Sequence, residues 1–174
     1  MAAYSFIFRK YSLRLRTHDY GSRSSYFITI DCYRHECRFG NILKKKMVPN
    51  DFGKIVENEW EELSKKHPNI ELGVHQLMPN HFHAIIHVRS ERYRRRKNSC
   101  IIKFNLSDII GGYKSIVSNK CLQLHLERSG HLPRIPLLGK IWKRSFYDEI
   151  IRDEPSLKSI SRYIRNNPQK WYHN

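Results

Sequence analysis

Two histidines one residue apart, His81 and His83, are the side chains of this 174-residue chain whose spacing most directly suggests chemistry. They stand in Leu77-Met78-Pro79-Asn80-His81-Phe82-His83-Ala84-Ile85-Ile86-His87-Val88, whose second half alternates on an apolar background and predicts a buried strand. Residues two apart on a strand point to one face, so His81 and His83 project together while Phe82 turns into a core. Two imidazoles held on a rigid strand, just after the turn signal Pro79-Asn80, make a pair of metal ligands. A chain with 10 His also offers a plainer account, a pair of ordinary sheet histidines, and spacing alone does not decide between them.

Composition narrows the partner. Lysine and arginine number 32 against 16 acidic residues, a net charge of +16, with pI ≈ 9.9. Such an excess suits a polyanion, nucleic acid first. A membrane surface fits less well, because no basic helix shows one clean apolar face. No apolar run approaches the ~18 residues of a membrane span. Met1 to Arg16 lacks a signal-peptide cleavage pattern, so a cytoplasmic protein is expected. Cys32, Cys37, Cys100 and Cys121 show no Cys-x-x-Cys spacing and read as reduced thiols.

The elements that must position the histidines follow from pattern. Residues 1–25 form a basic, aromatic arm, and 26–174 a single domain. Tyr26 to Cys32 alternates as a strand, and Ile42 to Val48, studded with Lys44, Lys45 and Lys46, reads as a short edge strand. Asn50 caps a helix with Phe52, Ile55, Val56, Trp60 and Leu63 at helical spacing; its many glutamates place it away from nucleic acid. Ile70 to Leu77 is the next strand. Residues 89–103 form a basic loop, suited to phosphates. Asn105 or Ser107 caps a second helix over about Asp108 to Leu126, where Gly111-Gly112 marks either a close backbone approach or a late start. Trp142 to Ile151 reads as extended. Asp153-Glu154-Pro155 opens a last helix, which stops before Pro168. Strand, helix, two strands, helix, strand, helix predicts an α+β fold: a ferredoxin-like split βαβ sandwich, with an antiparallel sheet and helices on one face.

The stretch around the histidines resembles the His-hydrophobic-His motif of the REP-associated tyrosine transposases, relatives of the single-tyrosine insertion-sequence transposases. Further blocks fall in that family's order: Arg14-Leu15-Arg16-Thr17-His18-Asp19-Tyr20, Phe39-Gly40, Asn50-Asp51-Phe52-Gly53, Ile109-Ile110-Gly111-Gly112-Tyr113-Lys114-Ser115, Trp142-Lys143-Arg144-Ser145-Phe146-Tyr147-Asp148-Glu149-Ile150-Ile151-Arg152, and Tyr163-Ile164-Arg165-Asn166-Asn167-Pro168. The resemblance covers nearly the whole chain.

It implies a metal-dependent transposase and endonuclease that cuts and rejoins single-stranded DNA at hairpins of repetitive extragenic palindromes. Tyr163 takes the place of the nucleophile, with Tyr113, Tyr147 and Tyr172 as rivals. His81 and His83 would hold Mg²⁺ or Mn²⁺, with Asn167, one helical turn after Tyr163, as third ligand where relatives often carry Gln; His75 or His87 are the other candidates. Cations expected at phosphates are Arg14, Arg16 and Arg23 in the arm, Arg92, Arg94, Arg95, Arg96 and Lys97 in the loop, and Lys114, Lys143 and Arg144. A monomer is expected rather than a dimer. The alternatives are a module that binds hairpins without cutting them and, last, a zinc hydrolase, which would want an acidic ligand that is not evident beside the pair.

Overall fold

The computed structural model describes residues 23–89, 93–94, 101–102, 105–130 and 140–171. Most of the N-terminal arm, much of the 89–103 loop and Tyr172 lie outside these residues. Strand β1 (Ser24–Asp31) is central because both its faces are apolar: Tyr26, Ile28 and Ile30 are fully buried on one side, and Phe27 is nearly so on the other. Two short strands follow, β2 (Gly40–Leu43) and β3 (Lys46–Pro49), then helix α1 (Asp51–Glu61) with a short continuation, α2 (Leu63–Lys66). Strands β4 (Ile70–Leu77) and β5 (His81–Val88), the two-residue pieces β6 (Tyr93–Arg94) and β7 (Ile101–Ile102), helix α3 (Leu106–Ser129), β8 (Tyr147–Ile151) and helix α4 (Glu154–Asn166) complete the order. The main sheet runs β4-β5-β1-β8, antiparallel throughout. This is the expected α+β, ferredoxin-like plan.

One face carries the larger core. Tyr26, Ile28, Ile30, Phe82, Ala84 and Ile86 of the sheet meet Val56 and Trp60 of α1 and Ile109, Tyr113 and Val117 of α3. Trp60 sits at the centre, its ring 5.0 Å from Phe82 and 5.4 Å from Tyr113. The other face is not bare, as "helices on one face" had it. Helix α4 crosses it, and Ile160, Ile164, Leu157 and Tyr163 pack on Phe27, Val74, Ile85 and Ile151. The stripe of α4 is short, and sequence pattern alone does not say which side of a two-faced strand it will cover.

Strand β4 contains a bulge. Leu72 pairs with Ile86, but His75, not Val74, pairs with Ala84, so one extra residue enters β4. The extra residue reverses the alternation beyond it. His75 turns to the α1 side, 6.3 Å from the Trp60 ring and 5.8 Å from Phe82, while Gln76 pairs with His83. His75 is therefore corrected as a candidate ligand: it lies across the sheet from His81 and His83.

Three other expectations are refined. Ile42 to Val48 is a two-strand ribbon, not one strand; Lys44 and Lys45 form its turn with φ of 49° and 61°, the left-handed pair of a tight hairpin. Within 142–151 only Tyr147–Ile151 joins the sheet, and Trp142 makes an isolated bridge to Cys32. Helix α3 begins earlier than expected, at a capping box in which Asn105 accepts from Ser107 and Asp108 while Asp108 accepts from Asn105. Gly111 and Gly112 lie inside this helix with open space around them, so neither marks a close approach.

Candidate active site

His81 and His83 project from β5 on the α4 side, their ring centroids 4.5 Å apart. Each ring is tethered through Nδ1. Asn80 Nδ2 donates to the His35 carbonyl at 3.2 Å, which turns Asn80 Oδ1 toward His81, and His81 Nδ1–H donates to it at 2.6 Å. That assigns the tautomer and leaves the lone pair on His81 Nε2. His83 Nδ1 meets Thr29 Oγ1 at 2.8 Å across the β1–β5 pair. Tethers of this kind are what orient histidine ligands of metals. Burial drives the acidities. It pushes His81 down to about 4, against the opposing carboxylate of Asp31 and with a further push from His35. Burial and the neighbouring His81 hold His83 well below its ordinary value. Both imidazoles are thus neutral near pH 7, the form that coordinates metals.

Helix α4 brings Tyr163 over this pair. Asp153 caps its start by accepting from Ser156 N at 2.8 Å, and Pro155 sits in its first turn. Ile160 and Ile164 fix the helix to the sheet, and Tyr163 between them lies 5.5 Å from the His83 ring and 6.1 Å from Phe27, edge-on to the latter. The chain then turns at Pro168–Lys170, and Trp171 comes 6.1 Å from His81. Asn167 lies between these two anchor points, at the end of α4. Among the described residues no third His, Cys, Asp or Glu joins the histidines. Gln76, paired with His83 across β4 and β5, donates its Nε2 to the Leu77 carbonyl at 2.8 Å.

No family model matches this sequence. An uncharacterized protein of Haemophilus influenzae is 31% identical over 168 residues, covering 95% of this chain and 91% of its own. The chain belongs to one family with that protein. Among solved structures, a REP-associated tyrosine transposase bound to a REP hairpin superposes with a TM-score of 0.56 at 16% identity, over 90% of this chain and 74% of that one. The fold is that of the REP-associated tyrosine transposases. A Deinococcus radiodurans structure described as a candidate transposase aligns over 88% of this chain and 95% of its own, with 14% identity and a TM-score of 0.47.

On this transposase fold the other residues singled out from sequence fall into three groups. Tyr113 is buried, and its hydroxyl donates to the Val56 carbonyl at 2.9 Å, a structural role. Tyr147 shares the histidine face, paired with Thr29 on the side away from His83. His87 bonds Ser25 Oγ at 2.6 Å, four residues along β5 from His83, and so stands apart from the pair. Lys114, expected at phosphates, is corrected: its ammonium donates to the carbonyls of Lys143, Arg144 and Ser145 at 2.8, 3.2 and 3.0 Å, which occupies all three donors. Burial there lowers it to about 8. Lys143 lies beside the site, paired with Asp31 at 3.0 Å and with His35 Nε2 at 2.5 Å, and Arg144 is exposed. Arg23 is exposed at the start of β1. Arg14, Arg16, Arg92, Arg95, Arg96 and Lys97 lie outside the described residues, and of Arg94 only the backbone is described. Sequence reasoning missed Thr29, Asn80 and Gln76, whose parts follow from cross-strand register; only Asn80, beside the motif, carried a local signal.

Proposed function

We propose that this chain is a metal-dependent DNA strand transferase that cleaves and rejoins single-stranded DNA at hairpins through a tyrosine–DNA intermediate. The observation that carries this reading is the Tyr163 ring packed against His83, in a pair of neutral, Nδ1-tethered imidazoles. The residues suit a divalent ion: two nitrogen donors fixed by Asn80 and Thr29, and an amide oxygen from Asn167 one turn after Tyr163. Mixed nitrogen and oxygen donors fit Mn²⁺ well and Mg²⁺ acceptably. When bound, such an ion would draw charge from a non-bridging oxygen of the scissile phosphate and orient its phosphorus.

The chain's own part is to hold the tyrosine for in-line attack. Tyr163 Oη forms a bond to the 5′ phosphate, its proton is lost, and the 3′ oxygen leaves and takes up a proton. Because one phosphodiester replaces another, a 3′ hydroxyl can reverse the step and join strands. Lys143, paired with the Asp31 that stands opposite His81 in the β1–β5 register, would offset charge on the phosphate. Tyr163 and His83 of one chain already touch, which favours a monomer as the acting unit. Partners would be hairpins of chromosomal palindromic repeats, met in the cytoplasm; among the described residues no helix is long and apolar enough to cross a membrane.

The test is a suicide-substrate assay with a flanked hairpin and Mn²⁺ or Mg²⁺, run on a denaturing gel. A protease-sensitive DNA adduct that disappears in Tyr163→Phe and persists in Tyr147→Phe is the expected result. Hairpin binding with no adduct under either metal would establish the binding-module reading instead. An adduct lost only in Tyr147→Phe would transfer the nucleophile to β8.

A further inference from the structure

At the far end of the histidine face lies a cleft of about 900 Å³. Strand β1 runs antiparallel to both neighbours, so its start meets the ends of β5 and β8 at one edge. Each of these three termini carries an arginine: Arg23 before Ser24, Arg89 after Val88 and Arg152 after Ile151. All three line the cleft, together with Ser25 and His87. Glu71 is the one carboxylate among its lining residues, and Arg89 is committed to it, with Nε 3.0 Å from Oε2. Among the described residues Arg23 and Arg152 form no ion pair. The acids at the start of α4 are engaged elsewhere, Asp153 on Ser156 N and Glu154 with Lys158 at 3.7 Å. Two guanidinium groups without an ion-pair partner among the described residues thus line a concave site whose floor holds the 2.6 Å hydrogen bond between Ser25 Oγ and His87.

The geometry points to this cleft as a binding site for a backbone phosphate of single-stranded DNA, remote from the bond that is cut. A planar guanidinium fork suits phosphate oxygens, and two together suit a phosphodiester. His87 and His83 are four residues apart on β5, roughly 13 Å at ~3.3 Å per residue, with α4 over the face between them. A strand that reaches both sites must bend round α4 over that short span. Duplex DNA, with a persistence length of about 50 nm, resists such a bend, whereas a single strand does not. The identity of the polyanion rests on the strand-transfer reading; the convergence of arginines does not.

The experiment compares the full-length protein with the Arg23→Ala/Arg152→Ala variant by fluorescence anisotropy, on a hairpin with a single-stranded flank and on the same hairpin without it, over a range of salt. Losing two phosphate contacts should weaken the flanked hairpin about tenfold and flatten its log–log salt slope by about 1.4. The blunt hairpin should change by less than about threefold, and Arg23→Lys/Arg152→Lys should restore most of the slope. An unchanged slope, or equal losses on both DNAs, would overturn the site. If the alanine pair lowers the melting temperature, Arg152→Gln alone gives the same decision, with a slope change of about 0.7. A flank-specific slope change without any tyrosine adduct would keep the cleft and sink the strand-transfer reading; an adduct with an unchanged slope would do the reverse.

Discussion

Asn80 and Thr29 show how far the orientation of the two histidine rings rests on side chains outside the pair. Each holds one Nδ1, so the ring orientations are set by partners one strand or one residue away. Thr29→Val keeps the shape and removes the hydroxyl; Mn²⁺ affinity, read by titration calorimetry, should fall roughly 10- to 100-fold while the melting temperature moves little. The His81–His83 pair was legible from sequence because strand alternation is local. Thr29 was not, because its part depends on a register set by residues 54 positions away. Glu59 makes a different point about stability. Its side chain is 5% exposed and pairs with the ammonium groups of Lys66 and Lys120. Burial pushes its carboxyl up, yet the hydrogen bonds and charges of the two lysines outweigh burial and hold it below the ordinary 4.5. A carboxyl so depressed contributes its full stability above that value and loses it as pH falls through the lower folded one. Glu59→Gln should therefore cost about 1–3 kcal/mol at pH 7, a gap that narrows in acid, as urea titrations at pH 7 and pH 3 would report.

Among the elements, the bulge in β4 and helix α4 decide which residues share a face. Without the bulge, alternation would keep Leu72, Val74 and Gln76 together; with it, Leu72 and His75 share the α1 side and Gln76 joins His83. Gly73 is the sequence cue to the extra residue, since a glycine inside a strand often marks a bulge; alternation read without that cue left His75 a candidate ligand. Helix α4 was legible in its limits, from Asp153-Glu154-Pro155 to the residue before Pro168, since caps and proline act locally. Its side of the sheet was not, because Phe27 and Ile85 are as apolar as the residues that alternate with them. Helix α1 is pinned by a glycine: a Cβ on Gly53 would lie 2.2 Å from the Phe39 carbonyl oxygen and 2.8 Å from Pro49 Cβ. Gly53→Ala should thus destabilise the fold, by about 1–3 kcal/mol in thermal or urea denaturation, despite the higher helix propensity of alanine.

For the whole molecule, the sheet separates two hydrophobic clusters of unequal size, one under α1 and α3 and one under α4. A chain ending at Ile151 should keep the first and expose Phe27, Ile85 and Ile151, now 5%, 1% and 9% exposed. Increased binding of a hydrophobic dye with retained far-ultraviolet circular dichroism is the expected outcome; a fully unfolded spectrum would show that the smaller cluster is essential to the fold. The α+β plan was legible because each element buries its own stripe. The cleft at the strand ends was not, because it is made by antiparallel pairing of termini far apart in the chain. The partition also has a genetic consequence. In a saturation library sorted first for soluble expression and then for activity on DNA, Phe82, Ala84 and Ile86 should be depleted at the first sort. Tyr163→Phe, which keeps the ring packed on Phe27, should pass it and vanish only at the second, so that inactive but well-folded variants would form an accessible and heritable class of this sequence.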